Sequence, residues 1–488
     1  MTLPSSYQHT PLDEIMPPWS FGVIYAFPCD ENHRERCLQV LQRGYTELLR
    51  LWPYLGGDVV HDGCPGRRPG HLSLVLPEHV PDIELAVLDL SDPSSGWDHN
   101  YAEVVGAGLP PRWLDAKLFA PYAAGLAVTT KPFLVQVNWI PGGCLLTTSI
   151  LHAVMDGSGM DMVMQTWARL CREMQLSETH GNGVTAQEMP TNLATTPIAS
   201  QIPVSGNSFD DLKTRPELWK LLGLHQEATL ALTPPPHPKP AMMPAAKGGH
   251  PDMRTAIFSI SQDASARLKT DATLSDGGQW ISTSDVVTAL LWRSVMRARF
   301  PDAEEPPEEH INTGRERPKS VMVVPLNGRS LFKPELPQSH INNVIYCCIN
   351  ELPLHDVVGP EPLATLARTI RRGIETIKSD ATLAQDAYTL ASLLPDVRKL
   401  IPSFADISGR NFVTSSWVDF PLYDVDFGPA LGKPELIRLP RYQWFGFHVI
   451  GPRKRNGDVE LFICLNGEEM DRLRKDVEFQ EYATFVAE

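Results

Sequence analysis

The chain is poor in the features that settle a class at once. In 488 residues no run reaches 18 apolar positions, so no segment is long enough to span a bilayer. Basic residues are outnumbered, 43 Lys and Arg against 58 Asp and Glu. The formal net charge of −15 argues against nucleic acid or an anionic membrane surface as a partner. The eight cysteines (Cys29, Cys37, Cys64, Cys144, Cys171, Cys347, Cys348, Cys464) form no C-x-x-C pair. That scatter argues against a zinc site or a disulfide framework and points to reduced thiols in a cytoplasmic protein. The amino terminus, Met1-Thr-Leu-Pro-Ser-Ser-Tyr-Gln-His9, carries neither the basic nor the apolar part of a secretory signal. No G-x-S-x-G elbow, phosphate loop or G-x-G-x-x-G turn is present, which removes the commonest hydrolase and nucleotide-binding readings.

What is there is an ordinary globular composition, 42% hydrophobic and 21% charged, in a chain long enough for two or three domains. Proline is abundant, 44 residues, and densest in Thr233–Pro251. Proline at that density enters neither a helix nor a central strand, so the stretch reads as an extended connection. The expected division is residues 1–200, a proline-rich crossover linker at 201–250, and residues 251–488. Strand-like runs at 72–76, 133–139, 145–151, 320–324, 344–349, 445–450 and 461–465 mix with helical patterns at 36–51, 159–174, 285–299 and 362–377. Strands and helices in both halves predict an α/β fold.

The most informative stretch is His152-Ala-Val-Met-Asp156-Gly157, which follows the mostly apolar run Cys144–Leu151. His-x-x-x-Asp alone means nothing, because a chain of this composition contains about one by chance. A second copy, His9 to Asp13, is indeed present, with Glu14 in place of the glycine. Requiring the glycine lowers the chance expectation to about 0.06. A histidine delivered by a buried strand into a tight turn suits a general base, since imidazole titrates near neutral pH. A core histidine bonded to a carbonyl fits the same pattern. Gly157 is expected to give the turn its backbone freedom. Ser158, three residues before Asp161, is expected to cap the following helix.

Several segments, taken with this motif, resemble the BAHD acyltransferase family of the chloramphenicol acetyltransferase superfamily, in particular its fungal trichothecene acetyltransferases. They are Pro11–Ile15, Tyr45–Gly57, His152–Gly157, Ile281–Arg293, the group Leu326-Asn-Gly-Arg329, Pro334–Pro337 and Asn343, and Val413–Trp417 followed by Asp426–Pro434. The last segment departs from the family's DFGWG form, with Pro429 and Ala430 in place of tryptophan and glycine.

The resemblance implies two chloramphenicol-acetyltransferase-like domains, each a mixed β-sheet flanked by helices, with a channel between them. It implies an acyl-coenzyme A co-substrate, no permanently bound cofactor or metal, a small-molecule alcohol or amine acceptor, and a monomer working in secondary metabolism. His152 would be the general base and Trp417, whose indole N–H donates without accepting, an oxyanion donor. Asp156 would turn away from His152 and pair with Arg329; Gly157, Asp426 and Gly428 would be structural. Ser282 and Thr283, at a helix start favourable to phosphate, and Ser415 and Ser416 would face the coenzyme. Two rivals share the fold: a condensation-type domain fed by a carrier protein, and a member that no longer acylates. The first usually has a second histidine where Leu151 stands; intact His152 and Trp417 speak against the second.

Overall fold

The computed structural model describes residues 6–488 apart from 63–65, 77, 80–82, 122–129, 181–201, 231–251, 275–279, 304–316, 338–339, 405, 408 and 442–446. The strands, in chain order, are β1 (Ser6–Gln8), β2 (Ser20–Pro28), β3 (Asp58–His61), β4 (Leu72–Val75), β5 (Ala86–Asp89), β6 (Phe133–Ile140), β7 (Gly143–Leu151), β8 (Met253–Ile260), β9 (Lys319–Asn327), β10 (Ile345–Pro353), β11 (Asn411–Ser416), β12 (Leu436–Arg438), β13 (Phe447–Ile450), β14 (Val459–Asn466) and β15 (Thr484–Ala487). They form a five-stranded sheet in the order β12-β2-β7-β6-β5, a seven-stranded sheet β10-β9-β11-β13-β14-β8-β15, and a small sheet β1-β4-β3. Both large sheets are mixed: β5–β6, β9–β11 and β11–β13 pair in parallel, the other neighbours antiparallel. This is the α/β architecture with two helix-flanked mixed sheets.

The five-stranded sheet is apolar on both faces, and its sequence shows why. In β2, Val23, Tyr25 and Phe27 pack under the helices Arg34–Leu51 and Gly157–His180, while Ile24 and Ala26 face a second cluster around Tyr101, Val104 and Phe119. Burial on both sides turns the alternating strand pattern into a continuous apolar run. Its edge strand β12 comes from the carboxy-terminal half of the chain and pairs with Ile24–Ala26, so the sheets are laced together across their boundary.

The seven-stranded sheet divides its residues by the two-residue period of a strand. Ala256, Phe258, Ile260, Met322, Phe412, Leu461 and Ile463 face outward onto the helices Thr283–Arg299 and Leu363–Ser379. Their neighbours Ile257, Val323, Val413, Phe462 and Cys464 face the opposite way, into a cavity between the two sheets.

The span read as a crossover linker is more ordered than its prolines suggest. Residues 209–230 form three short helices, Phe209–Leu212, Pro216–Leu221 and Gln226–Leu230, the first two packed against the helix Leu383–Leu393. Ser208 and Asp211 make a reciprocal cap and Pro216 opens the second helix, which accounts for the local structure. The densest proline run, 233–251, lies outside the described residues. Among the described residues no helix is long and apolar enough to cross a membrane.

Candidate active site

Strand β7 delivers His152 one residue beyond its end. The His152 N–H donates to the Trp19 carbonyl at 2.8 Å, and the Leu151 N–H to the Pro132 carbonyl at 3.0 Å, so backbone contacts on both sides fix where the side chain emerges. The imidazole lines the cavity, with Phe21 set edge-on at 5.4 Å between ring centroids. Its Nδ1 is buried, so Nε2 is the nitrogen available to the cavity side. Burial lowers its pKa, against smaller opposing effects from its own carbonyl, Asp156, Asn343 and Asp13. The ring is therefore neutral near pH 7, the state a general base requires.

The cavity encloses about 1670 Å³ of empty space including its open mouth. One wall is the inner face of the seven-stranded sheet. The other is built from Trp19, Phe21, Gly22, His152 and Gly157, and Leu222, Leu224, Phe404 and Ile407 close a further side. Most of this lining is hydrocarbon. Polar groups reach it at few points: Arg438 is spent on the Gly108 carbonyl and Glu460, and the Thr255 hydroxyl on Cys464 Sγ.

Asp156, four residues from His152, is occupied elsewhere. Its two oxygens accept from Arg329 Nη1 at 2.9 Å and Nη2 at 3.0 Å, a bidentate pair with both side chains buried. The same oxygens accept the Gly159 N–H and the Val344 N–H, each at 2.9 Å. Asp156 thus caps the helix Gly157–His180, the role expected of Ser158; the Ser158 hydroxyl instead accepts from Asn327 Nδ2 at 3.1 Å. Gly157 also differs from expectation. Its φ is not positive; glycine is needed there because a Cβ would stand 2.6 Å from the Phe420 ring.

Across the cavity, Trp417 is buried with its ring 6.2 Å from that of Phe21. Its indole N–H donates to Ser415 Oγ at 3.0 Å rather than standing free. Ser415 lines the cavity, and its hydroxyl hydrogen remains available to point into it. Ser416, on the alternate register of β11, is not part of the lining.

Comparison with known proteins agrees with this fold. Residues 250–480 match the Transferase family model, and residues 20–171 match the Trichothecene 3-O-acetyltransferase-like N-terminal domain. An eremophilane O-acetyltransferase of Penicillium roqueforti is 32% identical over 483 residues, covering 97% of each chain. The chain belongs to the BAHD acyltransferase family. A trichothecene 3-O-acetyltransferase of Fusarium sporotrichioides is 27% identical, over 94% of this chain and 91% of that one. In structure, the F. sporotrichioides TRI101 complex with coenzyme A and T-2 superposes with a TM-score of 0.77 at 22% identity, covering 99% of this chain and all of the other. Vinorine synthase gives 0.61 at 15% identity, covering 99% and 96%.

In this acyltransferase the remaining motif residues lie away from His152. Asp426 accepts the Gly428 N–H at 2.9 Å and sits 3.6 Å from Arg172. Gly428 has a φ of +80°, and Gln175 ties the loop to its helix through the Phe427 carbonyl and the Ala430 N–H. Ser282 caps the helix Thr283–Arg299 reciprocally with Asp285, and Arg371 donates to both. That helix covers the outer face of the seven-stranded sheet, and neither Ser282 nor Thr283 lines the cavity. Sequence reasoning missed Phe21, Leu222, Leu224, Phe404 and Ile407, whose only signal was apolarity. It also missed the weight of Asp13 and Asn343, both buried behind His152.

Proposed function

We propose that this acyltransferase moves an acyl group, acetyl by preference, from coenzyme A to a hydroxyl of a small, largely apolar secondary metabolite. The observation that carries the reading is His152 lining an apolar cavity with its Nδ1 buried, while its neighbour Asp156 is engaged by Arg329. The eremophilane and trichothecene O-acetyltransferases among its relatives support the choice of a hydroxyl acceptor.

The chemistry follows from the groups present. Nε2 takes the acceptor's hydroxyl proton as its oxygen attacks the thioester carbonyl. Negative charge then develops on the carbonyl oxygen, and the Ser415 hydroxyl, itself backed by the Trp417 N–H, donates to it. Collapse expels the thiolate, which receives the proton held by His152. The products are the ester and free coenzyme A, with no acyl-enzyme intermediate. An apolar wall suits this sequence, because a donor acts more strongly on a developing charge away from water.

The test is chromatographic measurement of coenzyme A and ester formed from acetyl-coenzyme A and a panel of hydroxylated sesquiterpenoids. His152→Ala is expected to lower turnover about 100-fold or more, in the range of general-base contributions. A His152→Ala variant with the wild-type rate, or no transfer to any alcohol in the panel, would overturn the reading.

A further inference from the structure

Behind His152 lies a set of buried polar groups that the acyl-transfer scheme leaves unused. Asn343 is fully buried. Its Nδ2 donates to the His152 carbonyl at 2.8 Å and to Asp13 Oδ1 at 2.8 Å, and its main-chain N–H donates to the same Oδ1 at 2.9 Å. Asp13 Oδ2 accepts from Asn342 Nδ2 at 3.0 Å and from the Thr10 N–H and hydroxyl at 2.8 and 2.9 Å. Although burial would raise Asp13, His9 and Asn343 hold it below the usual carboxylate range, so it stays ionised.

With both Nδ2 hydrogens spent, the Asn343 amide has one orientation. Its Oδ1 is left buried without a well-aligned partner, and so is His152 Nδ1, on which only its own carbonyl and the Asn343 side chain bear as hydrogen-bonding groups. One is a lone pair and the other an atom able to carry a proton, on two residues already joined through the His152 carbonyl. Leaving a buried polar atom unpaired is costly, which favours their pairing. The Asn343 side chain also acts on the imidazole in the sense that favours its charged form.

We infer that Asn343, clamped by the ionised Asp13, is the positioning residue for His152: its amide keeps Nδ1 protonated, leaves Nε2 bare for the acceptor's proton, and shares the imidazolium charge once that proton arrives. This rests on the acyl-transfer reading above. It fills the place of the third group in a nucleophile–base–orienter arrangement, a place that Asp156 cannot take. The charged and titratable groups around His152 are compatible with it. Asp13 and Asp156 both favour the imidazolium, Arg329 is paired with Asp156, His340 is pushed down to about 4 and is neutral, and His9 lies 3.8 Å from Asp13.

The experiment compares wild type, Asn343→Ala, the isosteric Asp13→Asn and His152→Ala in the full chain, measuring kcat, both KM values and the pH dependence of kcat/KM. Asn343→Ala and Asp13→Asn are expected to lower kcat about 10-fold or more with KM for acetyl-coenzyme A within about twofold. Both remove a group that raises the His152 pKa, so the acidic limb of each variant should move to lower pH. A residue that only supports the fold would lower the melting temperature and leave the limb in place; that result overturns the inference. If Asn343→Ala does not fold, Asp13→Asn and the ¹⁵N shifts of the His152 ring, assigned by difference from His152→Ala, decide it. Nδ1–H is expected, and an Nε2–H tautomer refutes it. Wild-type turnover in His152→Ala would instead sink acyl transfer itself. An inactive His152→Ala beside an Asn343→Ala with unchanged kcat and limb sinks only the present inference.

Discussion

The pair formed by Asp156 and Arg329 allows structure and chemistry to be separated inside one short motif. Arg329 is completely buried, and apart from Asp156 it donates to the carbonyls of His340 and Asn342 and to Asn327 Oδ1. Asp156→Ala leaves that guanidinium with neutral acceptors only. Removing one member of a buried pair costs about 3–5 kcal/mol, because the other charge stays behind uncompensated. Arg329→Ala should fall at the lower end, since the Gly159 and Val344 N–H groups still serve the carboxylate. Unfolding entropy of about 2.1 cal/mol/K per residue gives about 1 kcal/mol/K for a chain of this length melting as a unit. The expected fall is therefore about 3–5 °C for Asp156→Ala. The double mutant should lose less than the sum, because the second truncation removes the charge that the first stranded. Calorimetry on the four proteins reads the coupling, and turnover well below the melting range reads the chemistry. If Asp156 instead oriented His152 as in a hydrolase triad, Asp156→Asn would cost about 10⁴ in kcat and little in melting temperature. That pattern, or additive losses at 156 and 329, would refute the structural assignment.

Three further outcomes are expected. Because burial lowers the His152 pKa from its ordinary 6.5, kcat/KM should stay level through neutral pH and fall only below about that value; an acidic limb centred above 7 would contradict the site's electrostatics. Trp417→Phe deletes the N–H that backs the proposed donor Ser415, so it should cost about 10-fold in kcat with KM unchanged, and Ser415→Ala at least as much; full additivity in the double mutant would mean they act separately. His448 is buried with neither ring nitrogen hydrogen-bonded, stacked on Phe412 at 5.3 Å, and held neutral well below 6.5. Its contribution to stability is present above 6.5 and lost as pH falls, at up to about 1.4 kcal/mol per pH unit. His448→Phe should flatten the decline in urea midpoint between pH 6.5 and 5, and an unchanged slope would count against the assignment.

The elements with the strongest periodicity were legible in the sequence. Helical patterns at 36–51 and 285–299 became Arg34–Leu51 and Thr283–Arg299, and the run at 461–465 became Val459–Asn466. Strand β2 was not read, although it pairs with β7 along its whole length from Ser20 to Pro28. Residues 209–230 were read as linker because neighbouring prolines dominated the stretch. Yet Ser208, Asp211 and Pro216 are helix-start signals, and Leu218, Trp219 and Leu221 supply the buried face. The cavity wall was illegible for a different reason. Leu222, Leu224, Phe404 and Ile407 meet where Leu224 bridges to Pro402 and Gly223 adopts a φ of +70°, and no local pattern encodes a meeting of segments nearly 180 residues apart.

Spacing statistics gave the second His-x-x-x-Asp copy, His9 to Asp13, the same weight as coincidence. The structure shows why counting could neither dismiss nor promote it. At His152 the spacing places histidine and aspartate on opposite duties, one facing the cavity and the other bound to Arg329. At His9 the same spacing keeps both residues buried 3.8 Å apart, and Asp13 reaches Asn343 directly behind His152. The aspartate four residues from His152 holds a loop, while the aspartate 139 residues before it stands one amide from the same histidine. Spacing along a chain fixes which side chains can share a turn; which of them share a proton depends on what else is buried beside them.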